Sequence, residues 1–181
     1  MENAMENDRP DADQILWTPS DQDIDRSRLF AFMSANDIDD FDTLMDRSTA
    51  DVAWFTDALI RFLGIRFTVP YERSVDLDPT DWKRPVWCPG GRMNITASCL
   101  DRWIEDEDTA QRLALIAELE DGQIREFSYA ELAAKVSRCA NGLRELGLGV
   151  GDRIGLYLPM TWQNAVALLA IARIGGIALP L

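Results

Sequence analysis

The side chains in this sequence limit the chemistry that the chain could perform. Its 181 residues contain no histidine, so there is no Ser-His-Asp or Cys-His catalytic group and no histidine metal ligand. The three cysteines are Cys88, Cys99 and Cys139, an odd number without C-x-x-C spacing. We therefore predict reduced, partly buried thiols in a cytosolic protein instead of a structural zinc site.

Acidic side chains form the next candidate group. Asp101 with Arg102, and the run EDED at 105–108, could hold a metal ion or act as acid and base. Loops that bind hard cations interleave their carboxylates with a glycine turn, which this run lacks. A charge run beside a helix end is typical of a solvated surface, and we predict that role here.

Two glycine-rich segments could approach a phosphate. A phosphate loop follows a strand and opens a helix, so that the helix N-terminal amides meet the phosphate. The segment GLGVG at 147–151 instead follows a predicted helix and precedes a predicted strand, which favours a helix cap and a tight turn. Gly90 and Gly91 are not followed by a Lys-Ser or Lys-Thr pair. Met160 and Trp162 lie after a predicted strand, where open α/β sheets bind ligands, which is a positional indication only.

The formal net charge of −13 is concentrated near the start of the chain. Residues 1–60 contain 15 acidic and 4 basic side chains, whereas the rest contains 16 and 14. An acidic surface repels nucleic-acid phosphates and anionic lipid, so we expect neither as a partner. The longest apolar run, AVALLAIA at 165–172, is shorter than the roughly 20 residues of a membrane span. The acidic N-terminus is no targeting peptide, and we expect a soluble, cytoplasmic protein.

Helix signals dominate the first 64 residues. Ser20 and Asp23 form an S-x-x-D box that predicts one helix continuing through SRLFAFM at 27–33. A second box at 48–51 precedes apolar residues at helical spacing, and Gly64 is the expected stop.

A tryptophan-rich stretch, WKRPVWCPGGRMNITASCLDRW at 82–103, admits two readings: a ligand-binding loop, or a clasp that ties an extended segment to a core. Prolines across 65–92 disfavour helix, so we predict an extended arm that crosses the protein surface with tryptophans as anchors. Asn94 or Ser98 could then open a short helix at 99–106. We favour the clasp.

The remaining sequence predicts an α/β fold. Residues 113–129 read as two strands joined by Asp121-Gly122, and Ser128 opens a helix that ends at Gly147. Its predicted stripe is Leu132, Val136, Cys139, Leu143 and Leu146.

A strand at 153–159, an apolar helix and a strand at 177–181 make a βαβ unit with parallel strands. A parallel sheet usually has more strands, and the apolar helix needs more partners. We therefore expect the front part of a larger fold, against the alternative of a small domain with an edge strand.

Two segments resemble a known family. FSYAELAAKVSRCANGLRELGLGVGDRIGLYLPM, with the helix and strand that follow to residue 181, resembles the opening of the adenylation domain in AMP-forming acyl-CoA synthetases. The tryptophan-rich stretch resembles a signature of acetyl-, propionyl- and acetoacetyl-CoA synthetases, and WTPSDQDIDRSRLFAFM resembles the front of the acetoacetyl type. The signature matches are Trp87, Gly90, Gly91, Asn94, Cys99, Leu100, Asp101 and Arg102.

The resemblance implies an incomplete N-terminal part of an adenylate-forming enzyme fold, with an α-rich extension and an extended Trp-rich arm before the βαβ unit. We divide the chain into a disordered acidic tail at 1–14, an acetyl-CoA-synthetase-type extension at 15–110, and the start of the AMP-binding domain at 111–181. The complete enzyme would join a short carboxylate to AMP with Mg-ATP, release pyrophosphate and pass the acyl group to CoA.

The family's phosphate loop, adenosine motifs and catalytic lysine lie beyond this segment. We therefore assign no catalytic, cofactor-binding or metal residue, and expect ATP, Mg²⁺ and CoA only with the full-length enzyme. The first hypothesis is an N-terminal fragment, inactive alone and able to associate with the rest of a synthetase. The second is a non-catalytic interaction module, and the third a different nucleotide-binding βαβ domain.

Overall fold

A computed structural model describes residues 17–77 and 83–181, which fall into two compact units, one up to Phe62 and one from Leu63. The predicted tail at 1–14 and the predicted anchor Trp82 lie outside the described residues. The first unit is helical, with α1 (Asp21–Arg26), α2 (Arg28–Ser34), α3 (Phe41–Ala50) and α4 (Val52–Leu63), the last residue of which belongs to the second unit.

The capping box that starts α1 is confirmed, but the single helix through 27–33 is wrong. The backbone amide of Asp23 donates to the Ser20 hydroxyl at 3.3 Å, and that of Ser20 donates to the Asp23 carboxylate at 2.9 Å. Ser27 has extended backbone (ψ 142°), and its hydroxyl accepts from the Phe30 amide at 3.0 Å. A local serine cap therefore ends one helix and begins the next.

The prediction missed α3 and misplaced the cap of α4. Asp40 caps α3 by accepting from the Thr43 amide at 2.8 Å. Ser48 lies inside α3, and Asp51 caps α4 by accepting from the Trp54 amide at 2.8 Å. The S-x-x-D pattern at 48–51 is therefore no box, because the second residue is itself the cap.

Aromatic packing forms the core of the first unit. Phe32, which is 4% exposed, makes edge contacts with Phe55 and Phe62 at ring-centroid distances of 5.9 and 5.2 Å. The other buried apolar residues of this core are Met33, Ile38, Leu44 and Ala58. Gly64, with φ +62°, follows the end of α4 as predicted.

The predicted arm is extended but doubles back on itself. The strands β1 (Val75–Asp76) and β2 (Val86–Trp87) pair antiparallel, and Val69 bridges Arg92. Pairing within the segment satisfies backbone groups that a lone arm would leave to water. The prediction that Trp87 anchors the arm is wrong, since its side chain is 52% exposed.

Short helical pieces follow the doubled-back segment: α5 (Ile95–Cys99), a 3-10 turn at Asp101–Ile104 and α6 (Glu107–Ala110). Asn94 caps α5, so the helix predicted at 99–106 instead begins at residue 95 and gives way to the tighter turn.

The α/β architecture of the second unit is confirmed. β3 (Leu113–Glu118) and β4 (Ile124–Ser128) pair antiparallel, with Gly122 at φ +78° in the turn. The Ser128–Glu131 capping box opens α7 (Tyr129–Glu145), on which Val136 is fully buried. Leu146 is 78% exposed, so its predicted place in the buried stripe is wrong: it lies after the last helical residue.

The βαβ unit is also confirmed, as β5 (Arg153–Leu156), α8 (Trp162–Arg173) and β6 (Ile177–Pro180), with β5 and β6 parallel. Ala170 and Ile171 are buried, whereas Leu168 is 46% exposed. The predicted burial of this helix therefore holds for one side only. Helices in the described part of the chain all fall short of the length and apolar character that a membrane crossing requires.

Candidate functional site

The Gly90-Gly91 pair makes a tight turn immediately before the signature's polar residues. Gly90 has φ +77°, and the Gly91 amide donates to the Cys88 carbonyl at 2.9 Å. A Cβ on Gly91 would lie 2.9 Å from both that carbonyl and Tyr71 Cβ, and 3.0 Å from the Phe67 ring. A side chain does not fit there, so glycine at this position allows the backbone to lie against Tyr71 and Phe67.

Asn94 joins two helices with one side chain. Its Oδ1 caps α5 by accepting from the Thr96 amide at 3.1 Å and from the Thr96 hydroxyl at 2.8 Å. Its Nδ2 donates to the carbonyls of Ala172 and Arg173 at 2.9 and 3.2 Å. Those carbonyls belong to the last turn of α8, where backbone donors become scarce, and that of Ala172 also accepts from the Gly175 amide at 3.0 Å. Asn94 therefore ties the start of α5 to the end of α8.

Arg173 makes a second connection to the signature. Its guanidinium pairs with the Asp101 carboxylate and donates to the Ser137 hydroxyl on α7 at 2.6 Å. The Arg173 side chain is 16% exposed and that of Asp101 40%, so the pair is partly shielded from water. We call the group Asn94, Thr96, Asp101, Arg102 and Arg173 the signature clasp.

Arg102 extends the clasp to the first residues of the second unit. It donates to the carbonyls of Leu63 and Gly64 at 2.6 and 2.9 Å.

Apolar contacts surround the clasp. Leu100 is 1% exposed and belongs to the core formed by α7 and α8. Trp103 stacks on Tyr129 with ring centroids 5.4 Å apart. Of Trp87 and Trp103, the two tryptophans of the stretch that the structure describes, Trp103 is therefore the anchor. The buried Ser98 hydroxyl accepts from the Arg66 amide at 2.8 Å, which fixes the chain just after α4.

The polar atoms of this arrangement bind one another. In residues 17–77 and 83–181, no buried side-chain nitrogen or oxygen lacks a hydrogen-bond partner. These contacts favour the reading of residues 82–103 as a clasp over their reading as a ligand-binding loop. Sequence reasoning gave Arg173 no role.

The acidic run at 105–108 contributes local structure. A hydrogen bond from Arg66 lowers the pKa of Glu105, and Asp106 caps α6 by accepting from the Thr109 amide at 3.0 Å. Groups of three or more His, Cys, Asp or Glu side chains placed to hold a metal ion are absent from the described residues.

Cys88, Cys99 and Cys139 form no disulfide with one another; Cys88 and Cys139 are partly buried, as predicted, whereas Cys99 is exposed. Desolvation raises the pKa of Cys99, although part of the residue is open to solvent. The thiol therefore remains protonated at neutral pH and is a poor nucleophile.

The glycines at 147–151 form a helix cap and a turn, as predicted. Gly147 has φ +83°, and its amide donates to the Arg144 carbonyl at 2.9 Å. The Gly149 amide donates to the Asp152 carboxylate at 2.7 Å. Both amides are engaged within the turn instead of pointing at a ligand.

A cleft of about 350 Å³ lies between β3 and the start of α8, and Met160, four residues after β5, lines it. Met160 in this cleft is 92% exposed. Trp162 packs against Phe127 at 5.3 Å between ring centroids, and the Lys135 ammonium lies 4.7 Å from the Trp162 ring centroid. Of the two residues indicated by position, Trp162 is therefore held by packing, and only Met160 is freely accessible.

Residues 102–181, which include α7, the βαβ unit and part of the clasp, match the family model described as "AMP-binding enzyme". The acetyl-coenzyme A synthetase of Thiobacillus denitrificans is 38% identical over 137 residues, which are 76% of this chain and 20% of that protein. That of Deinococcus radiodurans is 43% identical over 99 residues, which are 54% and 15% of the two chains.

A solved structure shares the architecture over most of the chain. Acetoacetyl-CoA synthetase from Streptomyces lividans superposes with a TM-score of 0.80 and 29% identity, covering 93% of this chain and 26% of that one. The chain is therefore related to the N-terminal segment of AMP-forming acyl-CoA synthetases. It spans about a fifth of the length of the curated relatives that it matches, 20% and 15% in the two cases above.

Proposed function

We propose that the chain is the N-terminal part of a short-chain carboxylate–CoA ligase and has no ligase activity by itself. The complete enzyme converts ATP, a carboxylate and CoA to acyl-CoA, AMP and pyrophosphate through an acyl-adenylate. The observation that carries the proposal is the signature clasp: residues that mark the short-chain branch bind the last turn of α8, inside the AMP-binding segment.

The clasp gives this chain a structural task within such an enzyme. It fixes the end of α8, from which β6 follows directly, and thereby positions the strand next to β5. We propose the division already drawn from the sequence, an extension at 15–110 and the start of the AMP-binding domain at 111–181. ATP, Mg²⁺, CoA and the carboxylate are small-molecule partners of the complete, cytoplasmic enzyme, and no residue of this chain is assigned to them.

Carboxylate-dependent ATP–pyrophosphate exchange tests the proposal. We expect the purified chain to give no exchange above background with acetate, propionate or acetoacetate, while a full-length acetyl-CoA synthetase gives a strong signal. Turnover by the chain that depends on the carboxylate would contradict inactivity.

A chimera tests the family role separately. Replacing the corresponding N-terminal segment of a full-length acetyl-CoA synthetase with this chain should yield a folded enzyme that retains exchange activity. A chimera that folds but has no activity, with a re-ligated wild-type control that is active, would contradict the proposed equivalence.

The interaction-module hypothesis receives no support from the comparisons. Co-elution of the chain with an intact acetyl-CoA synthetase would revive it. A shift in melting temperature on addition of ATP would favour the nucleotide-binding βαβ hypothesis, and we expect none.

A further inference from the structure

A surface cleft of about 500 Å³ lies within the first unit, beside α1, α2 and the start of α3. Five large apolar side chains line it, each between 40% and 71% exposed: Trp17, Ile24, Leu29, Phe30 and Phe41. Clustered apolar exposure of this kind, with a polar rim, is characteristic of a protein-interaction surface. We call this surface the acidic cleft because of the charges that accompany it.

Three carboxylates, those of Asp23, Asp39 and Asp40, also line the cleft. The Ser20 hydroxyl lowers the pKa of Asp23, and the Thr43 amide lowers that of Asp40, so both are ionised at neutral pH. Among the lining residues in the described part of the chain, none is lysine or arginine. Across residues 17–62 the sequence has 10 acidic and 4 basic side chains, so the surroundings reinforce the negative charge.

The core of this unit forms without the five exposed side chains. Phe32, Ile38 and Leu44 are each at most 6% exposed and pack with α4. The apolar lining of the cleft is therefore not required to close the core, and its substitution should leave the unit folded.

We propose that the acidic cleft binds a cationic amphipathic helix of a protein partner. Apolar side chains on one face of such a helix fill an apolar groove, while flanking lysines or arginines meet the carboxylates. Trp17 adds a ring face that attracts a guanidinium or ammonium. A second copy of this chain is disfavoured as the occupant, because its own first unit carries the same negative charge.

The test uses the whole 181-residue chain and a fluorescent Leu/Lys peptide with leucines at i, i+3, i+4 and i+7. Two peptides serve as controls: a scrambled one of the same composition, and one with glutamate in place of lysine. Anisotropy titration should give binding only to the first, weakening by roughly 10-fold between about 50 and 300 mM salt, since exposed charges are screened.

Matched variants locate the binding surface. Trp17→Ser should weaken binding by about 10-fold, as loss of a central aromatic anchor does, while Trp87→Ser in the other unit should change it by less than about 2-fold. Asp39→Asn should weaken binding by about 2- to 5-fold at low salt, against no more than about 1.5-fold for Asp46→Asn, which lies outside the lining.

Several results would overturn the proposal. These are equal binding of the scrambled or glutamate peptide, no detectable binding of the Leu/Lys peptide, and equal losses in the cleft and control variants. Self-association in sedimentation that Trp17→Ser abolishes would also overturn it, in favour of a second copy as the occupant. Unchanged melting temperatures of the variants establish that any lost binding is not lost folding.

Discussion

Replacing Asn94 with alanine tests whether the signature holds the AMP-binding segment together. The variant loses the α5 cap, which costs about 1 kcal/mol. It also removes the Nδ2 donor to the Ala172 and Arg173 carbonyls, bonded at 2.9 and 3.2 Å in the wild type, although the Ala172 carbonyl keeps its bond from the Gly175 amide at 3.0 Å. Loss of these two hydrogen bonds in a half-buried place costs about 1–2 kcal/mol together, because water reaches the carbonyls in part. We expect the free energy of unfolding of the second unit to fall by about 2–3 kcal/mol.

Urea unfolding followed by tryptophan fluorescence measures this change. With a slope of about 2 kcal/mol per M, the midpoint of the affected transition should fall by about 1–1.5 M. Because the chain has two units, hydrogen exchange with mass spectrometry should accompany the titration. Peptides from α5 and from α8 should lose protection together, since one side chain connects them.

Two further variants separate the effects. Asn94→Asp keeps the acceptor for the cap and removes the donor to α8, so it should still cost at least about 1 kcal/mol. Asn141→Ala, at an exposed site on α7, should change stability by less than about 0.5 kcal/mol. The reasoning is refuted if Asn94→Ala matches the Asn141 control, or if Asn94→Asp is as stable as the wild type.

Three other substitutions probe the same unit. Arg173→Gln removes the cation that pairs with the partly shielded Asp101 carboxylate, and it should lower the free energy of unfolding, measured in urea, by about 1–3 kcal/mol. The control Arg61→Gln removes an exposed ion pair and should lower it by less than about 0.5 kcal/mol. Gly91→Ala places a Cβ 2.9 Å from the Cys88 carbonyl oxygen and should lower the free energy of unfolding by about 1–3 kcal/mol. The control Gly142→Ala lies in open space inside α7 and should raise it by about 0.5–1 kcal/mol. The pKa of Glu105 is lowered from its ordinary 4.5, so its contribution to stability is present above that value and lost as pH falls through the folded pKa. The melting temperature of Glu105→Gln should therefore lie slightly below that of the wild type at neutral pH and coincide with it in acid; a difference that persists in acid would contradict this.

Features that depend on a few neighbouring residues could be predicted from the sequence. The Ser20 and Ser128 capping boxes and the Asp121-Gly122 turn are confirmed, because each is a short-range hydrogen bond or a backbone preference. The break at Ser27 escaped prediction since the apolar pattern runs through it, and only the cap geometry reveals it.

Pairing between distant segments was harder to foresee. The proline-rich segment was predicted to be extended, and it is, but its residues pair with one another instead of crossing a surface alone. Proline content predicts local backbone and carries no information about which strand a segment meets. Trp87 was expected to be buried for its type, yet the pairing leaves it half exposed.

The sequence by itself determined the Ser20 and Ser128 capping boxes, the glycine turns, the βαβ order and the family resemblance, because each is encoded within a short window. Only the tertiary structure decided what the signature does. Asn94 lies 78 residues from Ala172, and Arg173 lies 72 residues from Asp101. No local preference specifies which of many polar residues will meet across such separations. The packing of α5 against α8 brings these partners together, so that the signature residues connect the two helices.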